Sequence, residues 1–212
     1  MKAIIVIFGN SGAGKDTLAD FLKARLPESD RMSFAWNLKQ AAFHLLGIPD
    51  SVSFGTQEQK LSFLAYGKNA RQWLQWLGTE VGRNMIHLDI WVDRLADIIN
   101  YENYEIEREH KSWGGPLYDY IIVSDGRFKN EACLGDHLKS PTLVLNILIL
   151  RPGLQADLSH PSESEVYAMV QEPVKWFDYV VVNDGDLTKL EKSAEELALA
   201  IEEKANEQKP LP

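Results

Sequence analysis

Apolar residues come along this chain in short runs, one of them interrupted at Asn146, set between longer amphipathic stretches. Ala3-Ile4-Ile5-Val6-Ile7-Phe8 is one such run, Tyr120-Ile121-Ile122-Val123-Ser124-Asp125 another, and 142–150 and Tyr179-Val180-Val181-Val182 two more. The first predicts a strand buried on both faces, as in a parallel sheet, the second another buried strand, and the last two further strands. Met32-Ser33-Phe34 predicts a further short strand. Between the runs, spacing near 3.6 predicts helices over 17–22, 35–46, 57–66, 68–77, 89–100, 130–138, 162–171 and 187–205, with Gly47 and Pro49 as a stop for the second. Strands alternating with helices predict an α/β fold with a mostly parallel central sheet and right-handed crossovers. The polar, aromatic stretch 101–117, with Gly114-Gly115-Pro116, predicts no regular element; 151–160 reads as a polar loop and 207–212 as a frayed tail.

The first strand runs into Gly9-Asn10-Ser11-Gly12-Ala13-Gly14-Lys15-Asp16-Thr17, and a helix follows. Gly9, four residues, then Gly14-Lys15 is the spacing of a phosphate loop. Its glycines let the backbone turn N–H groups inward, the helix directs its positive end at the same point, and Lys15 adds a full charge. Gly9, Ser11, Gly12, Ala13, Gly14, Lys15, Asp16 and Thr17 are therefore the candidate set for binding nucleotide phosphates. The residue after the lysine is ordinarily Ser or Thr, whose hydroxyl meets Mg²⁺; here it is Asp16, with the hydroxyl one place later at Thr17. A carboxylate suits a hard cation, so Asp16 reads either as a metal ligand or as a first-turn acid favoured by the helix dipole.

Transfer of a phosphoryl group between two phosphate-bearing molecules needs further cations, because charge spreads in the transition state and the two substrates repel. Lys39 stands one turn into the second helix. Arg71, Gln75 and Thr79, at i, i+4 and i+8, share a face beside the apolar stripe Ala70, Leu74, Leu77 and Val81, provided that helix continues. Arg83 is a weaker candidate. Asp125 ends a strand, where ligands of open parallel sheets collect, and reads as a carboxylate that orients Mg²⁺. Arg127 follows at the same edge. Arg151-Pro152 ends the next strand and opens a loop suited to a lid that carries a cation. Asn183-Asp184-Gly185 ends the last strand and reads as a resting place for the base or as a plain turn; Trp91 reads as core or as the wall of a base pocket.

Composition narrows the partners. The chain has 212 residues, one domain's worth, and a formal charge of −9, which disfavours a duplex nucleic acid. The one cysteine, Cys133, excludes an internal disulfide or a multi-cysteine metal site and reads as a small buried residue on a helix. Five scattered histidines form no zinc pair, His160-x-x-Glu163 is too little for a metal site, and no apolar run is long enough to span a membrane. A reducing, cytoplasmic setting is the expectation, the host cytoplasm if the chain is viral.

The chain resembles the phage-type deoxynucleoside monophosphate kinases, a branch of the phosphate-loop nucleoside monophosphate kinase fold. The resemblance rests on Gly9 to Thr17, Phe34-Ala35 with Leu38-Lys39, and Arg71-x-x-Leu74-Gln75-x-x-Gly78-Thr79-Glu80 with Arg83. Further on it includes Trp91, Ser124-Asp125-Gly126-Arg127-Phe128-x-Asn130-Glu131-Ala132, His160-x-Ser162-Glu163 and Val182-Asn183-Asp184-Gly185. It implies a three-layer α/β/α domain over 1–212, with an acceptor-binding helical region at 35–100 and a small lid at 151–165; the stretch 101–118 has no counterpart in the resemblance and reads as an insertion loop. It implies transfer from ATP, with Mg²⁺, to a (deoxy)nucleoside monophosphate. Lys15, Asp125, Arg127 and Arg151 would be catalytic, Arg127 and Arg151 bridging the two phosphate groups. Asn183 and Gly185 would join the ATP site, Phe34, Lys39, Arg71, Gln75, Thr79 and Trp91 would hold the acceptor, and Asp16 and Asp125 would take the metal. Other readings stay open: a kinase of another phosphorylated small molecule (phosphomevalonate or dephospho-coenzyme A type), or a nucleotide-binding regulatory module without transfer. A homodimer stays open as well.

Overall fold

The computed structural model describes residues 1–101, 118–155 and 161–207. Most of the 101–117 stretch, part of the 151–165 lid with His160, and the tail after 207 lie outside the described residues. The chain divides into two compact units, Met1–Met32 with Ala96–Pro212, and Ser33–Leu95.

The first unit is built on a five-stranded sheet. Its strands are β1 (Ala3–Phe8), β2 (Ser29–Met32), β5 (Tyr120–Gly126), β6 (Leu143–Leu150) and β7 (Tyr179–Val182), in the order β2-β5-β1-β6-β7. Every pairing is parallel, with Ile5 opposite both Ile122 and Leu145. The central β1 is buried along its whole length, as its unbroken apolar run requires. Ala3, Ile5 and Ile7 face Leu18, Ala19 and Leu22 of α1 (Lys15–Arg25) and Leu190, Ala194 and Ile201 of α9 (Leu187–Glu207). The alternate residues Ile4, Val6 and Phe8 are equally buried on the other face, where the Phe8 ring meets Phe177 at 5.5 Å. That face also carries a 3₁₀ helix (Lys129–His137), whose Ala132 carbonyl accepts a bond from Asn146 on β6, and α7 (Pro161–Val170). Helices on both faces of a parallel sheet make a three-layer α/β/α architecture.

Several sequence expectations shift. The second strand is Ser29–Met32, not Met32–Phe34: Ser29 to Met32 pair with Tyr120 to Val123, and the chain turns from Ser33, whose carbonyl accepts from Trp36 N–H. An edge strand needs backbone partners on one side only, so this polar segment forms a strand without an apolar signature. The 130–138 segment is 3₁₀ rather than α and kinks at Cys133, which is exposed rather than buried. A one-turn helix, α8 (Pro173–Trp176), precedes β7 where none was expected. The acidic last helix buries one stripe, and its Glu191 and Glu195 pair with Arg25 of α1 at 3.1 and 2.5 Å.

The second unit is helical: α2 (Trp36–Leu46), α3 (Asp50–Ser53), α4 (Gln57–Ser62), α5 (Ala70–Trp76) and the start of α6 (Ile90–Asn100). Leu38, Ala42, Ile48, Ala70 and Leu77 form its core. The helix expected over 57–66 stops at Ser62. The chain then makes a two-strand hairpin, β3 (Leu64–Ala65) with β4 (Lys68–Asn69), turning at Tyr66-Gly67 with φ of 47° and 77°. Left-handed angles at both central residues suit the primed turns that close tight hairpins. The next helix starts two residues later than expected, because the Asn69 side chain accepts from Gln72 N–H and caps it.

Candidate functional site

The phosphate loop joins β1 to α1 in the first unit. At Gly14, φ is 105°, and a Cβ there would stand 2.7 Å from the Asn183 amide, so both the backbone angle and the neighbour demand glycine. Asn183, at the end of β7, donates through that amide to Ala13 O at 2.9 Å and braces the loop's last turn. Gly185, two residues on, packs against the Lys189 side chain. The Lys15 ammonium lies within the loop and donates to Gly9 O at 2.6 Å and Asn10 O at 3.0 Å. Burial, and next the charge of Arg127, lower the Lys15 pKa to about 8, against the opposing pull of Glu163, Asp16 and Asp125.

Asp16 opens α1. One of its oxygens accepts from Arg31 at 2.5 Å and from the Ser124 hydroxyl at 2.8 Å. Arg31 also donates to Ser124 at 2.6 Å and to Asp20 at 2.6 Å. Partial desolvation opposes ionisation of Asp16, but the Ser124 and Arg31 bonds, with the Arg31 and Lys15 charges, outweigh it and hold its pKa below the usual carboxylate value. Asp125 follows Ser124 on β5, close enough for its charge to act on Lys15. Two carboxylates and a hydroxyl thus gather beside the loop's lysine.

Arg127 and Glu163 complete this end of the sheet. The Arg127 guanidinium donates to Glu163 Oε1, and its backbone N–H donates to Glu131 Oε2 at 2.6 Å. Glu163 Oε2 accepts from Asn10 Nδ2 at 2.9 Å and from Ser11 N–H at 3.1 Å. Burial alone would raise its pKa; the Asn10 and Ser11 bonds, with the Arg127 and Lys15 charges, reverse this and lower it. Arg151, exposed, donates to Gly12 O at 3.4 Å. The first unit therefore gathers Lys15, Asp16, Asp125, Arg127, Arg151 and Asn183 about residues 9–17. Sequence reasoning did not assign a role to Arg31, Ser124 or Glu163. The signals were present: Ser124 and Glu163 lie in the blocks that carry the family resemblance, whereas polar Arg31 sat outside the expected strand.

The other candidates lie in the second unit. Phe34 is buried, and the Lys39 ammonium stands 4.3 Å from the centre of the Phe54 ring. Arg71 and Gln75 are half-buried on α5, and Arg71 makes no ion pair with any described residue. Thr79 leaves their row. From Leu77 to Ile86 the chain is a π-helix, whose wider turns end the i, i+4, i+8 alignment that a continuous α-helix would give. Trp91 donates its indole N–H to Gly78 O at 2.8 Å and lays its ring against Gly82, so it braces the π-helix. Arg83 is buried and donates to Leu88 O at 3.3 Å.

No protein-family model matches the chain. It is similar to a protein of Acanthamoeba polyphaga mimivirus named as a deoxynucleotide monophosphate kinase, 34% identical over 183 residues, 85% of this chain and 88% of the relative. It is also similar to a deoxynucleoside-5'-monophosphate kinase of Escherichia phage T5, 28% identical over 119 residues, 55% of this chain and 40% of that relative. Among solved structures it is similar to a dephospho-CoA kinase from Campylobacter jejuni, 12% identical with a TM-score of 0.47 over 95% of this chain and 98% of that one.

Proposed function

This chain belongs to the deoxynucleotide monophosphate kinases, and from that membership we propose how its residues divide the work between ATP and the acceptor. It is a phosphotransferase that acts on a nucleotide and a nucleoside monophosphate. The observation that carries the finer reading is the phosphate loop, with the buried Lys15 ammonium in its curve and Asp16, Asp125 and Arg127 beside it.

In this reading residues 9–17 hold the ATP phosphates through backbone N–H groups and Lys15. The attacking atom is an oxygen of the acceptor monophosphate, already anionic, so no general base is needed. Catalysis is alignment plus charge: Arg127 and Arg151 draw donor and acceptor phosphates together against their repulsion and stabilise the charge on the moving phosphoryl group. Phe34, Lys39, Arg71, Gln75, Thr79 and Trp91 hold the acceptor on the helical unit. Asn183 and Gly185 serve the ATP site, Asn183 by bracing Ala13. The formal charge of −9 disfavours a duplex nucleic acid as partner. Among the described residues no helix is long and apolar enough to cross a membrane.

The donor set fits Mg²⁺. This ion binds through one or two carboxylates together with substrate phosphates, rather than in a cage supplied by protein alone. Asp16 is held ionised, Asp125 follows Asp16's hydrogen-bond partner Ser124 near the end of β5, and no larger acidic or histidine cluster able to hold a metal is found among the described residues. When bound, Mg²⁺ would neutralise phosphate charge. Asp16→Asn should therefore raise the Mg²⁺ concentration for half-maximal rate by several-fold and leave metal-free ATP binding nearly unchanged. An unchanged Mg²⁺ titration would leave Asp16 only its bonds to Arg31 and Ser124.

An acceptor panel tests the function. ADP release from ATP should depend on a deoxynucleoside monophosphate among dAMP, dGMP, dCMP and dTMP, measured beside their ribose forms and dephospho-coenzyme A. Equal ADP release with and without every monophosphate would overturn the kinase reading.

A further inference from the structure

Burying a carboxylate is costly unless its bonds compensate. Glu163 is only 5% exposed, and its compensating bonds fall on groups of the phosphate-binding end of the sheet. Its two oxygens split the task. Oε2 takes the Asn10 amide and the Ser11 N–H, both on the loop, while Oε1 takes the Arg127 guanidinium. We propose that Glu163 is a positioning residue for phosphoryl transfer: its carboxylate, delivered by the first turn of α7, ties the Arg127 guanidinium to the first turn of the phosphate loop. This rests on the kinase reading above and adds a residue to it.

Arg127 is then held at both ends. Its backbone N–H is fixed by Glu131, at 2.6 Å, and its head by Glu163. A long side chain fixed in this way loses little further freedom when it meets a phosphate, which is the benefit of preorganisation. The carboxylate also acts on two cations, alike in sign. Lys15 and Arg127 repel each other, and Glu163 opposes that repulsion. Since Glu163 acts through Arg127, removing it should cost rate only while Arg127 is present.

A double-mutant cycle reads that dependence directly. Glu163→Gln keeps the size of the side chain and one oxygen acceptor for the loop, and gives up the charge that holds Arg127. It should lower kcat by about tenfold, the scale of a small misplacement of a reacting contact, with acceptor KM changed less than about threefold. Arg127→Ala should lower kcat further, and the double variant should be no slower than Arg127→Ala alone. Losses that multiply in the double variant, or an unchanged kcat in Glu163→Gln, would overturn the proposal. Should Glu163→Gln fail to fold by thermal melt, Glu163→Asp replaces it: it keeps the charge, withdraws it by one methylene, and should give the same non-multiplying cycle. A wild-type enzyme that phosphorylates no deoxynucleoside monophosphate overturns the kinase reading and this proposal with it. An active wild type with multiplying losses overturns this proposal alone.

Discussion

Replacing Lys15 with methionine should reduce phosphoryl transfer on the order of 10²–10³-fold, the scale seen when one electrostatic donor is removed from a transition state, while the chain stays folded. Lys15 serves the loop twice. It donates to Gly9 O and Asn10 O, and it supplies the positive charge at the point where phosphates are to bind. The charge is costly to bury, as its lowered pKa near 8 records, so an uncharged side chain of similar length removes function without removing a net source of stability. Thermal melts of the variant should lie within about 5 °C of the wild type. The wild type carries a related signature. Lys15 is protonated below its pKa and neutral above it, so kcat/KM for ATP should fall as pH rises through about 8. A Lys15→Met enzyme with near-normal turnover would remove the loop from the mechanism, and an alkaline limb unmoved until well above that pH would remove the charge.

Arg71→Ala should weaken binding of the monophosphate by about one to two orders of magnitude, because a charge-assisted hydrogen bond is worth roughly 1.5–3 kcal/mol. ATP affinity should remain almost intact, since Arg71 belongs to the helical unit and Lys15 to the sheet unit. The position is prepared locally: the Asn69 cap starts α5 one residue before Ala70, which sets Arg71 on its first turn, half-buried. Arginine holds a phosphate through two parallel bonds, so Arg71→Lys should restore charge but only part of the affinity. Calorimetry with the monophosphate alone, and with a non-transferable ATP analogue alone, separates the two sites. Loss of ATP affinity with acceptor affinity retained would put the acceptor on another element.

What was legible in the sequence follows from where the physical signal lies. The β1–loop–α1 unit is local: an unbroken apolar run, glycines at fixed offsets and a lysine define it within residues 3–17. Strands β5, β6 and β7 were legible for the same reason, although β7, at the sheet edge, leaves Val180 and Val182 exposed. Strand β2 was misplaced because its partner is Tyr120–Val123, about ninety positions on, and its own residues, Ser29-Asp30-Arg31-Met32, carry no apolar run. The π-helix was invisible because Leu74, Leu77 and Val81 satisfy an α-helical period equally well, while the choice between ladders is made by packing such as Trp91 against Gly82. The same limit applied to the site. Lys15 announces itself beside its glycines, whereas Glu163 and Arg31 draw their meaning from partners that only folding brings near.

The brace between Asn183 and Ala13 spans 170 positions, and the bonds from Asn10 and Ser11 to Glu163 span 153 and 152. A loop coded near the amino terminus is thus finished by residues the ribosome adds much later. Contacts of such separation form late, because the chain between them must first be ordered. During synthesis the Gly9–Thr17 segment exists for most of the time without the groups that set its shape. Nucleotide affinity consequently becomes a measure of maturation: a nascent chain released before residue 183 would hold the glycines and the lysine yet lack the Asn183 brace, and ATP would favour chains that carry both Glu163 and Asn183 over those that lack them.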